Sequence, residues 1–504
     1  MKSDLFKKLL TEEHLNNLPF VRIIEAELEN FKSVEHGNIV FNCGKEKVPY
    51  NTKSDILGIY GQNGSGKTSF IEALDILRIL MSGEIIPNYY VDCIAKGKEY
   101  ARLSFTFDFQ YPNGVVRTVK YEFKLRIVGS YSENLNIENI GYENDDIEKE
   151  KTSYLQVFDE IVSVTGLFNG KNIKMQSIID TSLNDGAFGP VTKRKFFIDP
   201  KYKFSDIESD FFAYKKLALE KSKSFIFMDN VLSLFKEKGS YSDFFQVLLE
   251  LDYYASAFFR IIRIKDFDFI RLGFTHLPVY FHFSNAPLLI GKGTVFSKDF
   301  YDIFDKLFSN INLVLREFLP DINIKLKKLA PALLKNGEEG FYVDIISVKN
   351  GFELPIRIES DGIRKLISSL SLIIATFNEP HLTIAIDEFD AGVFEYLLGE
   401  ILKIFEKYGK GQFIFTSHNL RPLEVITNRN CLIFTTVNPK NRYVRMKNIY
   451  PTHNLRDRYF HEILINGQDE VLYKQSKNDK ILQAFQNAYY DVSDLSVTKN
   501  KRDN

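Results

Sequence analysis

Gly61-Gln62-Asn63-Gly64-Ser65-Gly66-Lys67-Thr68 decides how this chain is read. It fits G-x-x-x-x-G-K-[ST] at every fixed position. The glycines let the backbone turn tightly enough for successive N–H groups to face phosphate oxygens, Lys67 supplies a cation for the β- and γ-phosphates, and the Thr68 hydroxyl is a ligand for Mg²⁺. The apolar run 54–60 before it reads as a strand. Phe70, Ile71, Leu74, Leu77 and Ile79 after it recur at helical spacing across 68–81. Strand before and helix after is the setting a phosphate loop requires, and the helix N-terminus adds its own positive end. Ser69 completes the stretch placed around a nucleotide.

A second stretch, Leu382-Thr383-Ile384-Ala385-Ile386-Asp387-Glu388, is an apolar strand ending in two acids. Taken blandly, it is a buried strand with a solvated end. Beside a phosphate loop it reads as the strand whose Asp387 holds the Mg²⁺ and whose Glu388 activates a water as general base. Thr416-Ser417-His418-Asn419 follows another apolar strand, 412–416. His418 is then either a surface residue or one placed where open α/β sheets bind ligands. Glu359-Ser360-Asp361-Gly362-Ile363-Arg364-Lys365 opens a helix over 362–377; Ser360 or Asp361 is an N-cap, and the same helix start is a candidate anion site.

Around these motifs the patterns alternate. Residues 21–31 and 38–41 flank a polar turn, and 102–109 and 115–127 flank Pro112-Asn113-Gly114, a hairpin signal. The stretch 130–151 is acidic and polar and reads as a solvated loop. Helical periodicity dominates 206–259 and 299–318, without a heptad long enough for a coiled-coil arm. Short strands return at 342–348 and 352–358 around Lys349-Asn350-Gly351, then 382–386 and 412–416 alternate with the helix 393–408, and 431–435 follows. The expectation is an α/β fold with a mixed or parallel sheet, an antiparallel β subdomain and an inserted, mostly helical lobe. Four regions follow: 1–129 and 341–440 as halves of one head, 130–340 as the lobe for dimerisation or partner contact, and 441–504 as a polar, basic segment.

Composition limits the rest. The 504 residues suggest about three domains, and 45 Phe with 26 Tyr exclude a disordered chain. Sixty-five basic against 66 acidic residues leave a net charge of −1, so the whole surface does not grip nucleic acid. Lys440, Arg442, Arg445, Lys447, Arg456 and Arg458 form a local basic stretch, read as a solvated face or as a contact for DNA or RNA phosphates. Cys43, Cys93 and Cys431 are far apart and odd in number, which fits a reducing compartment. No apolar run reaches membrane-spanning length, and the cytoplasm is the expected location, with no membrane partner.

The order of motifs resembles the ABC-type ATPases: phosphate loop, Ser-x-Gly helix start, Asp-Glu, then His. Asn30-Phe31-Lys32-Ser33, Glu359–Lys365 and Asp387-Glu388-Phe389-Asp390 are similar to the SMC, RecF and OLD-like group rather than to transporter subunits. The resemblance implies that Lys67 and Thr68 bind phosphate and Mg²⁺, Asp387 supports the metal, Glu388 is the base and His418 the switch histidine. It places Asp390 in the D-loop. Ser360 and Gly362 would meet the γ-phosphate held by a second subunit, giving a head-to-tail homodimer around two ATP molecules. The Gln that this group carries on a further loop has no clear match, Gln110 being the candidate. No Toprim acidic pattern follows Thr435. The implied function is an ATPase that controls a separate effector protein in anti-phage defence or DNA repair. A nucleotide-gated scaffold with little turnover, or a nuclease with an unrecognised site, are the alternatives.

Overall fold

The computed structural model describes residues 17–41, 49–129, 153–183, 186–239, 242–263, 269–270, 288–289, 294–334, 337–447, 454–465, 468–474 and 478–499. A tight turn joins β1 (Phe20–Phe31) to β2 (Val34–Val40), and β3 (Asp55–Tyr60) runs through the glycine loop into α1 (Lys67–Met81). Next come β4 (Ala101–Gln110), β5 (Val116–Val128), β6 (Tyr154–Phe168) and β7 (Lys171–Asp180). The helices α2 (Glu208–Glu220), α3 (Asp229–Lys238) and α4 (Asp243–Tyr253) follow. β8 (Phe259–Ile262), the two-residue pair β9 (Phe269–Ile270) and β10 (Leu288–Leu289), and β11 (Thr294–Ser297) lead to α5 (Lys298–Phe318). The chain continues through β12 (Ile322–Leu333), β13 (Glu339–Lys349), β14 (Phe352–Pro355), α6 (Asp361–Asn378), β15 (Thr383–Ile386) and α7 (Glu395–Tyr408). It closes with β16 (Gln412–Ser417), α8 (Arg421–Val425), β17 (Leu432–Thr435), β18 (Tyr443–Val444), α9 (Leu455–Ile465) and α10 (Asn478–Lys499).

The strands that carry the motifs form one sheet in the order β18-β17-β3-β16-β15-β8, parallel except for β18. β3 is buried along its whole length, as a strand covered on both faces must be. Leu57 and Ile59 point into one core and Ile56 and Tyr60 into the other. The first core holds α1 between this sheet and an antiparallel one, β2-β1-β4-β5-β6-β7. Twelve of the 15 residues of α1 are buried, so the helix is enclosed nearly all round. In the second core α6 and α7 cover the opposite face of the parallel sheet. There α5 packs Phe304, Leu307, Phe308, Ile311 and Leu315, spaced as one helical stripe, against β12 and β13. Among the described residues no helix is long and apolar enough to cross a membrane.

The α/β expectation and both hairpins hold. Lys349 pairs with Phe352 across Asn350-Gly351, both residues having positive φ as a two-residue turn demands. Within 130–340, α2, α3, α4 and α5 are helical, and strands accompany them: β6 and β7 extend the antiparallel sheet begun by β1, and β8 pairs with β15 in the motif-bearing sheet. β11 and β12 flank β13 in a third sheet. The physical reason is period-two burial: Leu155, Val157, Val162 and Val164 face the core while their neighbours do not. The acidic stretch 130–151 and Cys43 lie outside the described residues.

Candidate functional site

The C-terminal ends of β3, β15 and β16 meet at one edge of the parallel sheet, and each delivers part of the site. From β3 the chain enters the glycine loop with Gly61 at φ 155°. A side chain there would lie 1.6 Å from Thr435 Oγ1, so the β17 terminus leaves room for glycine alone. Ser65 Oγ meets Thr435 Oγ1 at 2.5 Å and donates to Gln62 O at 2.5 Å, which ties the loop to β17. Asn63 and Gly64 form the exposed crest, while Gly66 and Ser69 are buried at the helix start. The Tyr443 hydroxyl donates to Gly66 O at 2.7 Å from β18.

Lys67 Nζ donates to Gly61 O at 2.8 Å and Gln62 O at 3.1 Å, lying back across its own loop. Burial pushes its pKa down to about 8 against the opposing pull of Asp387, Glu388 and Asp390. Thr68 Oγ1 donates to Asp387 Oδ1 at 3.4 Å, so α1 and the end of β15 bring these two oxygens together. Thr416 Oγ1 donates to the same Asp387 oxygen at 2.6 Å and accepts the Glu388 N–H at 2.7 Å. One hydroxyl on β16 therefore fixes both acids. Asp390 Oδ2 accepts the N–H groups of His418, at 2.9 Å, and Asn419, at 2.7 Å. Partial burial, then Lys67, holds the His418 pKa below the ordinary histidine value, and its imidazole is neutral at pH 7.

Ser360 is the N-cap of α6, its Oγ accepting the Ile363 N–H at 3.4 Å. Gly362 is buried against the Gly392 carbonyl. The Gly362–Gly392 contact sets the start of α6 against the loop that carries Asp390. Gln110 belongs elsewhere: its Oε1 accepts the Tyr50 N–H at 3.0 Å. Tyr50 precedes β3, at the opposite pole of the sheet. There a cavity of about 480 Å³ opens among Lys53, Lys403, Glu406 and Cys431, away from every site residue named above. The proposal of Gln110 as a site glutamine fails on this placement.

Sequence reading missed Thr416, Thr435, Tyr443 and Lys365. Lys365 is buried, and its Nζ donates to the main-chain oxygen of Glu388. Its signal was a lysine one helical turn from Gly362 and four residues before Ser369, both inward-facing on α6. The basic stretch is largely engaged within the chain. Arg442 donates to Ser33 O and Thr436 O, Arg445 to Asn430 O and Val40 O. Lys447 pairs with Asp469, Arg456 with Glu424 and Arg458 with Glu462.

A glycine phosphate loop set between strand and helix, one strand removed from an Asp-Glu strand, defines a P-loop nucleotide-binding fold. More narrowly, residues 56–424 match the family described as "AAA domain, putative AbiEii toxin, Type IV TA system", and the chain belongs to that family. No curated protein matches the sequence. Among solved structures the chain is similar, at 14% identity, to the SMC head bound to the C-winged helix domain of ScpA (TM-score 0.38, covering 84% of this chain and 98% of that one). It is also similar, again at 14% identity, to the recombination mediator protein RecF-ATPrS in the RecFOR pathway (TM-score 0.33, covering 81% of this chain and 95% of that one). The SMC head domain from Thermotoga maritima gives 14% identity and 0.32, with 85% and 100% coverage.

Proposed function

We propose that the chain binds ATP with Mg²⁺ and hydrolyses it in a head-to-tail homodimer, switching a separate effector in anti-phage defence or DNA repair. The observation that carries this is the convergence of Lys67, Thr68, Asp387 and Glu388 from stretches far apart in sequence. Thr68 Oγ1 and Asp387 Oδ1 are hard oxygen donors, the set Mg²⁺ takes when substrate phosphates and water complete its shell. Among the described residues no group of three or more His, Cys, Asp or Glu could hold a metal alone, in keeping with a metal that arrives with its nucleotide. When bound there, Mg²⁺ neutralises charge building on the phosphate oxygens.

The chain's own residues do the remainder. The loop N–H groups and the α1 N-terminus hold the phosphates, and Lys67 leaves its two carbonyl partners for the γ-phosphate. Glu388 accepts a proton from the attacking water. Neutral His418 donates to the γ-phosphate, its main chain anchored on Asp390. The order of motifs along the chain, with Ser360 and Gly362 at a helix start before Asp387-Glu388, supports the use of these two residues by a second subunit. On α2 the exposed Phe212 and Leu217 offer a surface for the effector. The family description, which speaks of a toxin of a type IV toxin–antitoxin system, supports a role in defence.

Glu388→Gln tests the reading. The variant is expected to bind ATP, to turn over about 100-fold more slowly than the parent, and to form an ATP-dependent dimer in light scattering. Parental turnover, or a monomer at saturating ATP, would overturn it.

A further inference from the structure

Glu388 is held in a conformation that a glutamate does not choose by itself. Its φ is 48°, in the left-handed region. Such a geometry persists where its surroundings over-determine it, and here the bonds can be named. The N–H is taken by Thr416 Oγ1 at 2.7 Å. The carbonyl accepts from Ala391 N at 2.9 Å and from Lys365 Nζ. Thr416 lies on β16 and Ala391 in the loop itself, so both are neighbours of the strand that carries the glutamate. Lys365 alone among these partners comes from α6, the helix that begins at Ser360 and Gly362.

Lys365 occupies an inward position on α6, flanked by Leu366, Ser368 and Ser369, all buried. An uncharged side chain would fill that space without the cost of burying an ammonium group. Its charge lies in the field of Asp390, Glu388 and Asp387. The Gly362–Gly392 contact adds a second join between the same helix and the same loop, main chain against main chain. Two contacts, one polar and one steric, therefore bind the start of α6 to the segment 388–392.

We propose that Lys365 is a positioning residue that holds the Glu388 main chain so that its carboxylate faces the attacking water, making the start of α6 a brace for the base of the same subunit. The inference rests on the ATPase reading above and adds to it. A shift of α6 at Ser360 reaches Glu388 through one side chain, so engagement of that helix start by a second subunit retunes the base on its own side.

The experiment uses the full chain with Lys365→Met, which keeps length and apolar bulk but not the donor, and Lys365→Arg, which keeps a donor. For Lys365→Met, kcat is expected to fall about tenfold or more, while KM for ATP and the ATP Kd stay within about threefold. Lys365→Arg is expected to recover a substantial part of kcat. Hydrogen exchange gives a reading free of turnover: in Lys365→Met the amides of 388–392 exchange about tenfold faster while those of α1 are unchanged. A kcat within about twofold of the parent, or exchange in 388–392 unaltered, overturns the proposal. So does loss of ATP binding or of cooperative unfolding in both variants, which would make Lys365 structural. A wild-type chain that never hydrolyses ATP defeats the ATPase reading instead, and the exchange experiment still decides whether Lys365 holds the loop.

Discussion

At Gly362 the place of a side chain is taken by the carbonyl oxygen of Gly392, 1.7 Å from where a Cβ would lie. Neither main chain can give way without moving either α6 or the Asp390 loop, so glycine is required here for packing within one subunit, whatever a second subunit adds. Gly362→Ala should therefore lower kcat about tenfold or more while ATP affinity changes by less than about threefold, because the P-loop is untouched. Steady-state kinetics beside a nucleotide-binding titration checks this; a parallel loss of affinity would contradict it. Lys67, Thr68, Asp387 and Glu388 were legible in the sequence because phosphate and Mg²⁺ chemistry restricts residue types at fixed local spacing. Thr416 and Lys365 were not. A threonine ending a strand has no local signature, and the inward spacing of Lys365 on its helix does not name the atom it meets; both roles exist only once β15, β16 and α6 are side by side.

Between the antiparallel sheet and the helices after it, Glu250 of α4 is buried with Tyr111 Oη donating at 2.6 Å and Gln246 Nε2 at 2.8 Å. Burial pushes its pKa up to about 7, in spite of the two hydrogen bonds. The folded chain keeps this proton up to about pH 7, whereas an unfolded one releases it near the ordinary value of 4.5. The stabilisation is thus complete below 4.5 and is lost as pH rises through 7. Glu250→Gln should flatten that slope: between about pH 5 and 8 the variant loses about 1–3 kcal/mol less stability than the parent. Urea unfolding at both pH values measures it, and equal slopes would refute it. Elements whose period is local were readable in advance, as with α5 and its single apolar stripe, or β13–β14 around Asn350-Gly351. β6 and β7 were harder, because register shifts interrupt their pairing. β8 was harder still, being four residues long with its partner β15 over a hundred residues away.

Across the molecule, the C-terminal stretch divides into a part bound to the head and a part standing free of it. Tyr443 and Arg442 hold the P-loop and the β1–β2 turn, and Lys474 N–H reaches Gln62 Oε1 at 3.2 Å. Residues 478–488 of α10 are exposed throughout, Phe485 to 75%. A chain ending at 477 should keep its Tm within about 3 °C and its ATP affinity, whereas one ending at 440 should lose both. Thermal unfolding followed by circular dichroism separates the two; a large loss of Tm in the longer chain would show that α10 carries stability. The position of β3 between β16 and β17 has a bearing on synthesis. The ribosome finishes β3 about 350 residues before β16, which at 5–20 residues per second is roughly 20–70 s. Throughout that interval the nascent P-loop strand has no lateral partner, and a message broken before Gln412 yields a polypeptide with the phosphate motif but neither strand that flanks it in the sheet.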